Sequence, residues 1–330
     1  MISLISQVIV NPPGYPEYYE PYRLLIGPTA GVLPDGAIWF HGGTFLDNQL
    51  KDYGIWHGVF TVGIGGVAEV QLSMNRLLSN LPSYPWTQIN EVSSAMKLSV
   101  IRLQHVGLAV QLRVSPGVVN EVPDTIVLFA PHPVYYGFVR KYTTRTAYLT
   151  VPLTVRFRKF SLSVGAGIVQ FGTRMEMRNL PPLHGCEAGV LCDSLKSWLS
   201  TEPFRSTKEE SVLTAYNGYV GGTYGWRERT DLLFEVNLHP RFLYRGMFKR
   251  TGATGYDRYS PGNRVPRDTA VAVIRTFAGV RHSFSRNFIV DAGIVLPYDT
   301  GLPPGDRLNL LSATLYLNLH VILSLKDLEF

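Results

Sequence analysis

"GVAEVQLSMN", residues 66–75, alternates along its whole length. Ala68, Val70, Leu72 and Met74 are apolar, and Glu69, Gln71, Ser73 and Asn75 between them are polar. A period of two is an extended strand with one dry face and one wet face. The dry face must meet either a protein core or lipid, and the remaining sequence decides between the two.

The same pattern recurs along the chain. In "AYLTVPLTVRF", residues 147–157, Leu149, Val151, Leu153 and Val155 oppose Tyr148, Thr150, Thr154 and Arg156. In "DLLFEVNLHPRF", residues 231–242, Leu232, Phe234, Val236 and Leu238 oppose Asp231, Glu235, Asn237 and His239. "FSLSVGAGI", "FIVDAGIVL" and "LSATLYLNLHVILSL" repeat it. Several runs hold about 10–13 residues, whereas soluble strands average about 5–6 and a tilted bilayer crossing needs about 9–11. The chain of 330 residues is 45% hydrophobic but only 17% charged, below the roughly 25% charge of an average soluble domain. Mean hydropathy is +0.06, and no run of about 18 apolar residues offers a membrane helix. Long alternating strands without helices favour lipid on the dry side, because a closed barrel satisfies every backbone hydrogen bond internally.

Connection lengths give an independent indication. Tight turns are expected at Gly65-Gly66, near Gln104, near Lys159, at 227–229 and at Ser285-Arg286. Longer loops at 46–53, 79–91, about 175–210, 245–268 and 299–306 alternate with them. A loop at 115–124 and turns at 131–133 and 143–145 complete the pattern. The reading is an all-β, transmembrane, antiparallel up-and-down β-barrel of about fourteen strands, or about twelve if segments 125–131 and 134–142 are not separate crossings. Residues 1–35, with "NPPGYPEYYEPY", read as a periplasmic N-terminal arm, and residues 36–330 as the barrel with long extracellular loops. The first residues hold a short apolar run without a basic start or a small-x-small site, a poor secretion signal as it stands.

The chain ends in "KDLEF", and a terminal Phe330 closing an alternating strand resembles the C-terminal signature of Gram-negative outer-membrane β-barrel proteins. The stretch "PTAGVLPDGAIWF", residues 28–40, loosely resembles the approach to the first strand in Bacteroidetes- and Chlorobi-type barrels. The resemblance implies a porin-like barrel in the bacterial outer membrane, with membrane lipid as a partner. It also implies that the assembly machinery reads the last strand and Phe330.

Net charge is +6 and the pI about 9.2, but the bases are scattered singly and no nucleic-acid reading motif occurs. Nucleic acid is therefore not an expected partner. Cys186 and Cys192, in "GCEAGVLC", suit a small disulfide ring in an oxidising compartment; two free thiols are the other reading. A metal site would need further ligands at suitable spacing, so neither metal nor cofactor is expected.

The wet faces carry whatever function the chain has. The register turns Glu69, Gln71, Lys97, Arg113, Arg156, Arg158, Asp231, Glu235, Arg241, Arg275, Arg281 and Asp291 inward. Such a ladder either sets the field of a water-filled channel or neutralises itself as a network of ion pairs. Ser312, Asn318 and His320 share one face, but Ser312 and His320 are roughly 26 Å apart along a strand. A base that far from its nucleophile cannot activate it, and an enzyme is not expected. Two functions stay open, beside a third, transport of hydrophobic compounds, for which a more apolar lumen would be expected. One is a porin-like pore for small polar solutes. The other is a non-transport anchoring or assembly subunit of an outer-membrane or cell-surface complex, docking partners through the arm or loops.

Overall fold

The computed structural model describes residues 24, 27–47, 54–77, 92–129, 133–179, 208–243, 250–251, 255–256, 269–285, 287–300 and 314–324. The strands are β1 (Ala37–Asp47), β2 (Gly54–Ile64), β3 (Ala68–Leu77), β4 (Val92–Arg102), β5 (Val106–Phe129), β6 (Pro133–Arg156) and β7 (Phe160–Asn179). They continue with β8 (Lys208–Arg227), β9 (Thr230–Leu243), β12 (Thr269–Ser283), β13 (Phe288–Asp299) and β14 (Thr314–Ser324). These twelve close into one antiparallel barrel, each paired with its sequence neighbours and β1 with β14. A separate two-residue ladder joins β10 (Arg250–Thr251) to β11 (Gly255–Tyr256).

Twelve is the lower of the two expected counts, and the reason is local. The loop expected at 115–124 and the turn expected at 143–145 are both strand interior. Pro116 and Gly117, which read as a chain reversal, instead occupy a register shift between Ser115 and Val118. A bulge absorbs the missing donor of a proline and bends the strand without ending it. β5 and β6 therefore run for 24 residues each, roughly 80 Å of strand. That is far more than a membrane crossing requires, so their hairpin projects beyond the bilayer.

The short-turn end of the barrel keeps its expected character. The tight turns at 65–67, 103–105, 157–159, 228–229 and 284–285 lie at one end, where β1 also begins. Gly65 and Gly66 have φ of 59° and 64°, the left-handed pair that suits a two-stranded reversal. At this end Phe157, Tyr224, Trp226, Phe284 and Phe288 are exposed on the outside, and the Arg227 guanidinium lies 4.7 Å over the Trp226 ring. Aromatic girdles of this kind sit at the headgroup level of a bilayer.

The two faces of the wall are inverted relative to a water-soluble barrel. Val70, Leu72, Met74, Leu149, Val151, Leu153, Phe234, Val236, Leu315 and Leu317 are exposed, while Glu69, Gln71, Thr150, Thr154, Glu235, Asn237 and Asn318 are buried. A continuous apolar belt of this extent is untenable in water. Around a closed, even-stranded, antiparallel barrel it is the outer-membrane architecture. We expect Leu72→Arg to cost roughly 2–4 kcal/mol of folding stability in lipid vesicles. Spin labels should report high oxygen accessibility at Leu72 and low at Gln71; equal values would remove lipid from the dry face.

Candidate functional site

Residues 24 and 27–33 lie inside the barrel, and 34–36 pass over its rim. This stretch belongs to the segment expected as a periplasmic arm, and it crosses the lumen at the short-turn end before turning into β1. Thr29, Ala30, Val32 and Leu33 are all at most 3% exposed. Extended chain in a closed space must find partners for its backbone, and the wall supplies them. Gly27 N–H donates to Glu235 Oε1 at 2.9 Å, Ala30 N–H to Thr154 Oγ1 at 2.8 Å and Leu33 N–H to Glu69 Oε2 at 3.1 Å. The Tyr219 hydroxyl donates to the Pro28 carbonyl. At the rim Gly65 N–H donates to Asp35 Oδ1 at 2.7 Å, tying the segment to the β2–β3 turn.

The wall is thinned where the segment passes. A side chain at Gly63 would meet the Pro34 carbonyl, one at Gly107 the Ala30 methyl, and one at Gly221 Leu24. Tyr219 lies between two glycines, Gly165 on the wall and Gly27 on the segment. These glycines are small because another piece of backbone or an aromatic ring takes up the space beside them.

The expected charge ladder resolves into pairs at this level. Lys97 Nζ lies 2.9 Å from Glu69 Oε1, both side chains at most 4% exposed. Arg281 donates from Nε and Nη2 to the two oxygens of Asp291, at 2.6 and 2.7 Å. His320 Nε2 lies 2.9 Å from the same carboxylate, and its ring stacks with His41 and Trp39. Bidentate geometry and a second partner are what a carboxylate buried in low dielectric requires. Gln71 is buried beside Thr61, to whose hydroxyl it donates at 3.2 Å. Asn318 and His320 face the lumen, whereas Ser312 lies outside the described residues.

The outer half of the lumen differs. Arg113 donates to Ser93 Oγ at 2.9 Å and its guanidinium lies 5.9 Å over the Tyr148 ring. Tyr148 stacks on His239, centroids 5.9 Å apart. Arg275 projects inward from β12, half-buried, and both arginines act electrostatically on His239. Arg156 and Asp231 are also half-buried on the inner face, near the short-turn end.

Arg158 requires a correction. β6 ends at Arg156, and Arg158 is exposed in the β6–β7 turn; the alternation had been carried two residues too far. Arg241 lies on β9, but its side chain is outside the described residues, as are Cys186, Cys192 and Phe330 entirely. The alternation therefore located most of the wall residues, but not the segment that fills the space between them. The available signal was "PTAGVLPDG", residues 28–36, whose small and apolar residues are unusual for a solvated arm.

No family model matches the chain, and no curated protein matches it. Solved structures that resemble it include the NanC porin, at 8% identity and a TM-score of 0.40, covering 86% of this chain and 98% of that one. Others are a Pseudomonas aeruginosa FadL homologue, at 10% identity and a TM-score of 0.41 over 87% and 89% of the two chains, and the translocator domain of the autotransporter NalP from Neisseria meningitidis, at 10% and 0.40 over 87% and 86%. Likeness at this level carries no argument about activity.

The Lys97–Glu69 pair also holds the segment through Leu33, so breaking it has a readable cost. Lys97→Met leaves a buried carboxylate uncompensated and is expected to cost about 3–5 kcal/mol. Adding Glu69→Gln should recover most of that loss, because an amide oxygen still accepts from Leu33 N–H. Urea midpoints in lipid vesicles measure both; a single variant as stable as the wild type would deny the pair its structural role.

Proposed function

We propose that the protein is an outer-membrane channel for small polar solutes whose periplasmic end is closed, in this conformation, by its own residues 24 and 27–36. The supporting observation is the way that segment is held. Its side-chain ties to the wall are separate hydrogen bonds, and its backbone adds a single bridge at Pro28 and the Gly36 N–H on the Gly63 carbonyl at 3.3 Å, not a continuous strand ladder. Together they amount to something on the order of 5 kcal/mol net. Shifting a two-state equilibrium from 1:99 to 99:1 takes about 5.5 kcal/mol, a scale that a ligand or partner can supply. The apolar contacts of Leu24, Val32 and Leu33 favour the closed state further.

The projecting β5–β6 hairpin favours a second reading, a barrel that anchors or docks partners from outside the cell. Conductance separates the two. The Ala30 methyl lies 3.1 Å from where a Gly107 Cβ would be, so the segment need give by only a few tenths of an ångström to reach the roughly 3.5–4.5 Å of a disulfide. In a background with Cys186 and Cys192 replaced by Ser, Ala30→Cys with Gly107→Cys should lock the segment. Planar bilayers should show little current when the variant is oxidised and channel openings after reduction. Equal current in both states would reject the gate, and none in either state or in the wild type would favour anchoring.

Selectivity follows from the balance of inward charge at each level. Lys97 and Arg281 are each bound to a carboxylate, whereas Arg113 in the outer lumen hydrogen-bonds a neutral serine. With Arg275 beside it, the outer lumen favours anions. The reversal potential in a salt gradient should report chloride preference, weakening as salt screens the field. Arg275→Gln should reduce it; cation preference in the wild type would overturn the assignment.

A further inference from the structure

Main-chain bonds stitch part of the short-turn rim into one edge. Gly225 N–H donates to the Lys159 carbonyl at 2.8 Å, and Ser283 N–H to the Arg229 carbonyl at 2.9 Å. The β6–β7 turn, the β8–β9 turn and the end of β12 therefore lie side by side and share one outer surface.

That surface is basic and aromatic. Arg158, Lys159, Arg227 and Arg229 are exposed in the two turns, against one exposed acid, Glu228. No carboxylate is bound to these four cations among the described residues. Beside them Phe157, Tyr224 and Trp226 are exposed on the lipid side.

A bulge sets the central cation. The β8–β9 register shifts between Gly225 and Arg227, which makes Trp226 the extra residue. Unbroken alternation from Thr223 and Gly225 would turn Arg227 into the lumen. Instead its guanidinium lies 4.7 Å over the outward Trp226 ring. A guanidinium stacked by its face keeps the N–H groups of its edge for an acceptor, and that fork matches two oxygens of a phosphate.

The rest of the rim provides a contrast. At the β2–β3 and β4–β5 turns the exposed apolar residues are aliphatic, among them Ile64, Val67, Ile101 and Leu103. Arg102 there donates to the Gly66 carbonyl, and the exposed base is His105. Aromatic girdles mark the headgroup level, and short turns face the periplasm. The cations beside the rings of the first arc therefore sit at the height of the phosphates of the periplasmic leaflet.

We propose that the arc formed by the β6–β7 and β8–β9 turns binds an anionic phospholipid of the periplasmic leaflet, with its phosphate on Arg227 and Arg229, its net charge selected by Arg158 and Lys159, and its acyl chains along Phe157 and Tyr224. A phosphate taken from water would leave the rings unused, whereas a lipid engages rings and cations together. The inference goes beyond the channel reading and holds whether or not the barrel conducts.

The test reconstitutes the full chain in phosphatidylcholine vesicles with a trace of phosphatidylglycerol bearing a diazirine near the glycerol end of one acyl chain. A parallel sample carries the matching phosphatidylcholine probe. Adducts are mapped by mass spectrometry, and the ratio between the probes removes differences in intrinsic reactivity. That ratio over residues 157–159 and 224–230 should exceed the ratio over residues 64–67 and 100–103 at least five-fold. Arg227→Gln should lower it about five-fold, the scale of one basic group at a charged surface, and high salt should lower it too. Arg174→Gln, which removes the same charge at the outer end, should leave it unchanged. Equal ratios on the two arcs, or a ratio lowered as much by Arg174→Gln as by Arg227→Gln, would overturn the site. The wild-type comparison decides alone, so the test survives a variant that fails to fold.

Discussion

Everything in this structure depends on closing the ladder between β1 and β14. A strand facing lipid has no water to satisfy its N–H and C=O groups, so each edge must find another strand. The eleven residues of β1 pair in full with β14, from Ala37 opposite Ser324 to Asp47 opposite Thr314. With an even number of strands, that closure places the start of β1 and the end of β14 at the same end as the short turns. The first strand is therefore preceded by chain already positioned at the mouth of the barrel.

Closure also creates an interior that must be filled or wetted. At the short-turn end it is filled, and the filling is made of this chain. Glu235, Thr154 and Glu69 each spend an acceptor on the backbone of residues 27–33, and Glu69 is simultaneously neutralised by Lys97. The same carboxylate thus holds the segment and balances a cation, so the plug and the charge network are one energetic unit. The Arg281–Asp291–His320 group occupies the same level of the wall. Higher in the lumen Arg113 and Arg275 are half-buried, and Arg113 leans on the Ser93 hydroxyl and the Tyr148 ring.

The β8–β9 ladder ends at Gly218 opposite Leu238, two residues below Pro240, and there the closure rule relaxes. Unpaired backbone in the hydrocarbon layer costs several kcal/mol per group. At the headgroup level water supplies the missing partners. A proline placed four residues lower on β9, at the level of Val236 opposite Val220, would have exposed the same edge to lipid chains. Its actual position ends the pairing where ending it costs little.

Much of the fold was legible in the sequence, because period-two alternation and turn chemistry are local. The inward face of β3, the outward leucines of β14 and the positive-φ turn at Gly65-Gly66 each follow from a few neighbouring residues. A one-residue slip would flip a whole strand, so the pattern is strongly enforced. Local reading failed where a local signal had a distant answer: Pro116 and Gly117 signal a reversal but are accommodated as a bulge by β6, and Arg158 continues an alternation that the β6–β7 turn has already ended. What only the tertiary structure decided is what meets across the lumen. That Glu69 would hold both Lys97 and Leu33, that Tyr219 would settle between Gly165 and Gly27, and that the β8–β9 ladder would end just below Pro240 depend on the barrel's circumference and stagger. Those are properties of twelve strands closing together, and no stretch of one strand contains them.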